Sequence, residues 1–203
     1  MMKKTINPLI FQKGFTIVEL IVAMSLFVVL ISIAVGAFIN INRNQRIIVA
    51  LMAANDNMGL TLEQMAREIR TGYNFCEISK EKIQFVNAKD QVIRYRLNNA
   101  SSSIEKGISS ISGPGSGDCS DAADSWFTYQ PLSADNVKIT ILNMQICGKN
   151  LDTNILLDNC GSGDTSYPPR ITLGLSITSN EPIVKKSGIS INIQTTVSSR
   201  RIE

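Results

Sequence analysis

A single carboxylate stands where carboxylates are seldom tolerated. Glu19 lies at the start of an apolar run that reaches Ile41, broken otherwise only by Ser25, Ser32, Gly36 and Asn40. An acid at the centre of a bilayer costs up to about 2.5 to 3.5 kcal/mol, and less near an end, so a residue of this kind is retained for a task and needs a partner. The remaining reactive types narrow the chemistry by what is missing. There is no histidine, which removes Ser-His-Asp and Cys-His catalysis and every histidine-ligated metal. No convincing nucleophile, base or metal set is left, so the chain is expected not to be an enzyme and to need no cofactor.

Two groups of acids and four cysteines complete the inventory. Asp118, Asp121 and Asp124, and likewise Asp152, Asp158 and Asp164, offer oxygen ligands of the kind calcium takes, but their spacing does not match the EF-hand loop. They are expected to be solvated loop acids, with no metal bound. Cys76, Cys119, Cys147 and Cys160 all fall in the part of the chain expected outside the cytoplasm, where disulfides persist. Four cysteines allow three pairings. The preferred one joins Cys147 to Cys160 around a short loop and leaves Cys76 to staple the end of a long helix to Cys119. Free thiols are the alternative, and a cysteine metal site is disfavoured because no CxxC pair occurs.

The element that must carry Glu19 is a helix. Its apolar run is too long for a soluble core helix and meets the roughly 20 residues needed to cross a ~30 Å hydrocarbon layer. Beyond Arg46 the spacing of Ile48, Leu51, Met58, Leu62, Met65 and Ile69 is that of a helix packed on one side, so helix is expected from about Phe15 to Thr71, about 85 Å at 1.5 Å per residue. Glu63 and Arg67 are placed to pair at i,i+4, Arg67 and Arg70 suit the last turn, and Gly72 is expected in the left-handed position after it. Gly36 either unwinds the helix locally or serves as a small contact residue. Residues 1–14 precede this helix as a short basic leader. The 20 Lys and Arg against 17 Asp and Glu include Lys3, Lys4 and Lys13, so a chain beginning at Phe15 would carry 17 of each sign, and nothing in the charge points to nucleic acid.

Gly14-Phe15-Thr16-Ile17-Val18-Glu19-Leu20, behind a basic leader and ahead of some twenty apolar residues, resembles the class III signal of type IV pilins and pseudopilins. The resemblance implies that a prepilin peptidase cuts between Gly14 and Phe15 and methylates the new amine of Phe15. It also implies that the apolar helix stays as a filament core in which Glu19 serves assembly.

From Lys82 onward the period changes from helical to two. Ile83, Phe85 and Val92 to Leu97 read as a hairpin joined through residues 87–90. Three further strands run through Val137, Ile139 and Ile141, through Ile171, Leu173, Leu175 and Ile177, and through Ile189, Ile191, Ile193 and Val197. The apolar face switches between Ile141 and Leu142, which predicts a bulge or a strand passing between sheets. Residues 98–125 and 147–169, rich in Ser, Gly, Asn and Pro, read as surface loops.

These segments, especially Gln64 to Arg70, Ile83 to Phe85, Ile93 to Leu97 and Ile193 to Arg200, look like minor pseudopilins of the J type in type II secretion and minor pilins of the W type. That resemblance implies a low-copy subunit near the filament tip which helps start assembly. The expected fold is α+β, a long N-terminal helix packed on an antiparallel sheet domain. Its parts are a leader (1–14), a transmembrane and filament-core helix (15–41), an amphipathic extension (42–73) and an extracytoplasmic β-rich domain (74–203). The expected location is a single pass through the cytoplasmic (inner) membrane with the N-terminus inside, then the filament. Expected partners are prepilin peptidase, other pilins or pseudopilins, the inner-membrane assembly platform, and membrane lipid before assembly. A membrane-anchored receptor or adhesion module that does not polymerise is the alternative.

Overall fold

No proline interrupts the chain between Ile17 and Thr71, and apolar and other good helix formers dominate it, so it forms one helix, α1 (Ile17–Thr71). The computed structural model describes residues 14–112, 124–149, 156–158 and 168–200. The chain divides into two compact units, Met1–Gln45 and Arg46–Glu203.

In the first unit every described residue is exposed, including the large apolar side chains from Phe15 to Ile41. The helix is long and apolar enough to cross a membrane. Its polar interruptions are satisfied locally: the hydroxyls of Ser25 and Ser32 donate to the carbonyls of Val22 and Val28, each at 2.8 Å. This back-bonding lowers the cost of a hydroxyl among lipid tails. Gly36 is helical, so the chain does not unwind there.

In the second unit α1 buries Ile47, Ala54, Met58, Thr61, Met65, Ala66 and Ile69. The expected stripe is right at Met58, Met65 and Ile69 but starts one residue early: Ile47 is buried and Ile48 is half exposed, while Leu51 and Leu62 are only partly covered. The expected Glu63–Arg67 pair forms at 3.0 Å on the exposed face.

Two antiparallel sheets supply the rest of the core. The first is a meander of β1 (Tyr73–Ser79), β2 (Lys82–Val86), β3 (Gln91–Asn98), β4 (Ser103–Ser112) and β5 (Phe127–Pro131). The second has the order β7-β6-β8-β9, built from β6 (Val137–Lys149), β7 (Leu156–Asp158), β8 (Arg170–Ser179) and β9 (Ile191–Ser198). A short helix, α2 (Pro182–Ser187), joins the last two strands and ends at Gly188, whose φ of 67° is the left-handed turn that glycine takes without strain. One hydrophobic cluster joins Met58, Met65 and Ile69 to Phe75, Phe85 and Ile93 of the first sheet and to Leu142, Met144, Leu173 and Ile177 of the second.

The hairpin between β2 and β3 turns without Asp-Gly. The Asn87 side-chain oxygen accepts from the N–H groups of Lys89 and Gln91 at 2.9 and 3.0 Å, and Asp90 takes the left-handed conformation with φ of 57°.

Five expectations about the fold need correction, and the first is Ile189, expected in the last strand but exposed and lying before β9. Gly72 is not left-handed; an added Cβ there would lie 2.6 Å from the Phe85 ring, so the position needs a small residue for close approach. The stretch 98–125 is not all loop, because β4 pairs with both β3 and β5. The stretch 147–169 likewise holds the end of β6 and β7. Ile141, expected on the core face, is exposed, while Ile139 and Leu142 are buried. The register shift between Ile139 and Ile141 rotates the strand there, and β6 stays in one sheet.

Candidate processing and assembly site

Gly14, Phe15 and Thr16 are non-helical and exposed, immediately before α1. Thr16 begins the helix: its hydroxyl oxygen accepts from the Glu19 N–H at 3.3 Å and its carbonyl from the Leu20 N–H at 3.2 Å. This is the N-cap geometry, and Thr16-Ile17-Val18-Glu19 has the Thr-x-x-Glu spacing of a capping box. The Thr-x-x-Glu spacing is the sequence signal for this cap.

Two consequences follow for chemistry. The Gly14–Phe15 peptide bond lies outside the helical hydrogen-bond ladder, so an enzyme reaches it without unwinding α1. Glu19, in the first helical turn, sits where the helix dipole favours a negative charge. An amine generated at Phe15 would stand beside that turn, where the dipole disfavours a cation, and the Glu19 carboxylate is the nearest counter-charge in the chain.

The second unit holds two polar clusters that the sequence did not announce. On the face of the first sheet turned to α1, Glu68 takes hydrogen bonds from the Tyr95 hydroxyl and the Lys106 ammonium. Tyr95 is fully buried between α1 and the sheet. On the opposite face Arg94, also fully buried, donates to Gln84 at 2.7 Å and to Asp124 at 2.8 Å and lies 4.0 Å from the Phe127 ring centroid. Arg96 pairs with Asp124 at 2.8 Å and with Glu105 at 2.9 Å, over the ring of Tyr129. Gly107 gives Tyr129 its room there, since a Cβ would meet its ring at 2.6 Å.

Asp124 is solvent-exposed as expected, but it is not a lone loop acid, since it pairs with Arg94 and Arg96. Burial works against its charge, but hydrogen bonds from Tyr129 and Arg94 and the nearby Lys82 and Arg96 hold its carboxyl below the usual range. It serves as the counter-ion of a cationic face, and among the described residues no three acidic or cysteine side chains gather as a metal site would require. Asp118, Asp121, Asp152 and Asp164 lie outside the described residues.

Cys76 and Cys147 are both disulfide-bonded. The reading of free thiols is thus overturned for these two. Cys119 and Cys160 lie outside the described residues, as does the leader up to Lys13.

The Tyr95 cluster gives the second unit a pH response. Burial first, and then the hydrogen bond and charge of Glu68, push the Tyr95 phenol above the ordinary tyrosine range. The folded state thus favours the protonated phenol. Its contribution is complete below the unfolded pKa of about 10 and is lost progressively as pH rises beyond it. Tyr129 is raised too, by burial and its bond to Asp124, and acts with the same sign. The melting temperature should hold to about pH 9 and fall above pH 10, and Tyr95→Phe should flatten that fall. An equal fall in the variant would contradict this assignment.

Comparison with known proteins adds one finding at the N-terminus. Residues 11–35 match the family described as the prokaryotic N-terminal methylation motif. No curated protein and no solved structure matches the chain. The matched residues contain the Gly14–Phe15 bond, the Thr16 cap, Glu19 and most of the exposed apolar stretch of α1. This is a prepilin-type N-terminus, and it supports a type IV pilin-like, membrane-anchored structural protein that prepilin peptidase processes and that assembles with other pilins.

Proposed function

We propose that this chain is a minor pilin or pseudopilin which helps initiate or cap a filament, either a type II secretion pseudopilus or a type IV pilus. As a precursor it crosses the cytoplasmic (inner) membrane once, N-terminus inside, with lipid around residues 15–41. Prepilin peptidase removes residues 1–14 by cutting between Gly14 and Phe15, and Phe15 is N-methylated. The assembly platform then transfers the subunit into the filament, with α1 continuing beyond the membrane to Thr71 and residues 74–203 forming the extracytoplasmic domain.

The observation that carries this reading is the junction itself. An exposed, non-helical Gly14-Phe15 pair leads directly into a capped apolar helix with an acid in its first turn, within a matched methylation motif. An ordinary signal anchor needs neither that bond nor that acid. The test is co-sedimentation of the epitope-tagged full chain with sheared filaments, expected at low copy relative to the bulk subunit. A fully processed chain that stays in the membrane and never sediments with filaments would favour the non-polymerising adhesion module.

Within this reading Cys147 pairs with Cys160 and Cys76 with Cys119. The first closes a loop of about 14 residues, which contributes roughly 3 kcal/mol in the chain-entropy model. Peptide mapping without reductant should recover both linked pairs. A linked Cys76–Cys147 peptide would contradict the assignment.

A further inference from the structure

A sheet edge is a row of backbone donors and acceptors that must find partners, and proteins blunt long edges with charge, proline, a bulge or a covering element. Three edges of the second unit are treated in this way. β7 has three residues, and β5 has five and ends at Pro131. β1 is bulged and approached by β6, where the Met144 N–H donates to the Lys80 carbonyl and the Ile146 N–H to Glu77.

Among the described residues β9 has no such device. Its eight residues, Ile-Asn-Ile-Gln-Thr-Thr-Val-Ser, carry no charge and no proline, and they pair with β8 in unbroken register from Arg170↔Ser198 to Ile177↔Ile191. Among the described residues no strand pairs with the other side. Ile191 and Ile193 pack on the core but remain partly exposed, so the core is open along this edge.

The C-terminal end of the same strand is cationic. A cleft of about 280 Å³ is lined by Thr196, Val197 and Ser198 with Arg70 and Arg200. The Arg200 N–H donates to the Arg70 carbonyl at 2.8 Å, which holds the two residues together. The acids near Arg70 on α1 are engaged elsewhere, Glu63 with Arg67 and Glu68 with Lys106.

We propose that the β9 edge and the Arg70–Arg200 cleft form one docking site for an extended, acidic segment of a partner protein. The segment adds as a strand beside β9, its alternate side chains cover Ile191 and Ile193, and its carboxylate sits against the two guanidiniums. A second copy of this chain is the wrong occupant. Antiparallel pairing of two β9 strands would bring each Arg200 towards the partner copy's strand start, which follows Lys185 and Lys186, and so would set like charges together. The site does not depend on whether the chain polymerises through its N-terminal helix.

The test uses the full chain in detergent micelles. The probe is a short labelled peptide of alternating valine and threonine that ends in two aspartates, compared with one ending in two lysines and one N-methylated along its backbone. The aspartate peptide should protect the amides of Ile191–Ser198 from hydrogen exchange and bind better than both counterparts. Arg70→Gln with Arg200→Gln should weaken it about threefold to tenfold, as expected for one or two exposed ion pairs, without lowering the melting temperature. Equal binding of the lysine or N-methylated peptide would overturn the proposal, as would unchanged binding by the double variant. Protection of β9 already present in the free chain and lost on dilution would overturn it in favour of a second copy.

Discussion

Gly14→Glu is expected to leave the uncut precursor as the sole membrane form, with residues 1–14 still attached. Among the described residues no atom lies within 4 Å of where a Gly14 Cβ would be, so the substitution disturbs no described contact. The effect must therefore fall on the enzyme that handles this bond, where a charged, bulky side chain would enter a pocket suited to the smallest residue. Insertion depends on the apolar helix, which is unaltered, and should be normal. Wild-type mass loss in this variant would remove the processing account, whereas a variant absent from the membrane would show that Gly14 matters for insertion instead.

The second large effect is expected at Glu19. Cleavage places a positive amine at the N-terminus of a helix whose dipole disfavours it, and Glu19 lies one turn away. A lone helix in lipid can let both charges reach the headgroups. Inside a filament core they are enclosed by apolar helices, where one charge left without its partner typically costs about 3 to 5 kcal/mol. In the filament that the resemblance implies, neighbouring helices are staggered, so the carboxylate is expected to meet the amine of the adjacent subunit. Glu19→Ala should accordingly be cut and methylated but nearly absent from sheared filaments. The backbone N–H of residue 19 still reaches Thr16 in the variant, so loss of the cap does not explain such a result. Incorporation equal to wild type would show that Glu19 is not the assembly contact.

What the sequence made legible follows from how local each signal is. The α+β class, the long helix, the β2–β3 hairpin and the alternation of β8 rest on periodicity within single segments, and Ile83, Phe85, Ile93, Leu173 and Ile177 are buried as their spacing implies. β4 was hidden because its core side is carried by Ile104 and half-buried Ile108 among serines and a glycine, a composition that reads as loop. Its strand character comes from pairing on both sides with β3 and β5, which no window along the chain contains. Arg94 was hidden for a related reason. An arginine alternating with apolar residues reads as solvent-facing, yet it is buried because Gln84 arrives from β2 and Asp124 and Phe127 from the distant stretch that opens β5. At the N-terminus the reverse holds: Gly14, Phe15, Thr16 and Glu19 are consecutive or one turn apart, so the candidate site could be read from the chain alone.

The mature N-terminus of the membrane-resident protein tests the central claim most directly. Intact-mass and N-terminal peptide analysis of the wild-type chain should find Phe15 as the first residue, carrying one added methyl group on its amine. A chain that retains residues 1–14, or one whose first residue is not Phe15, would contradict it.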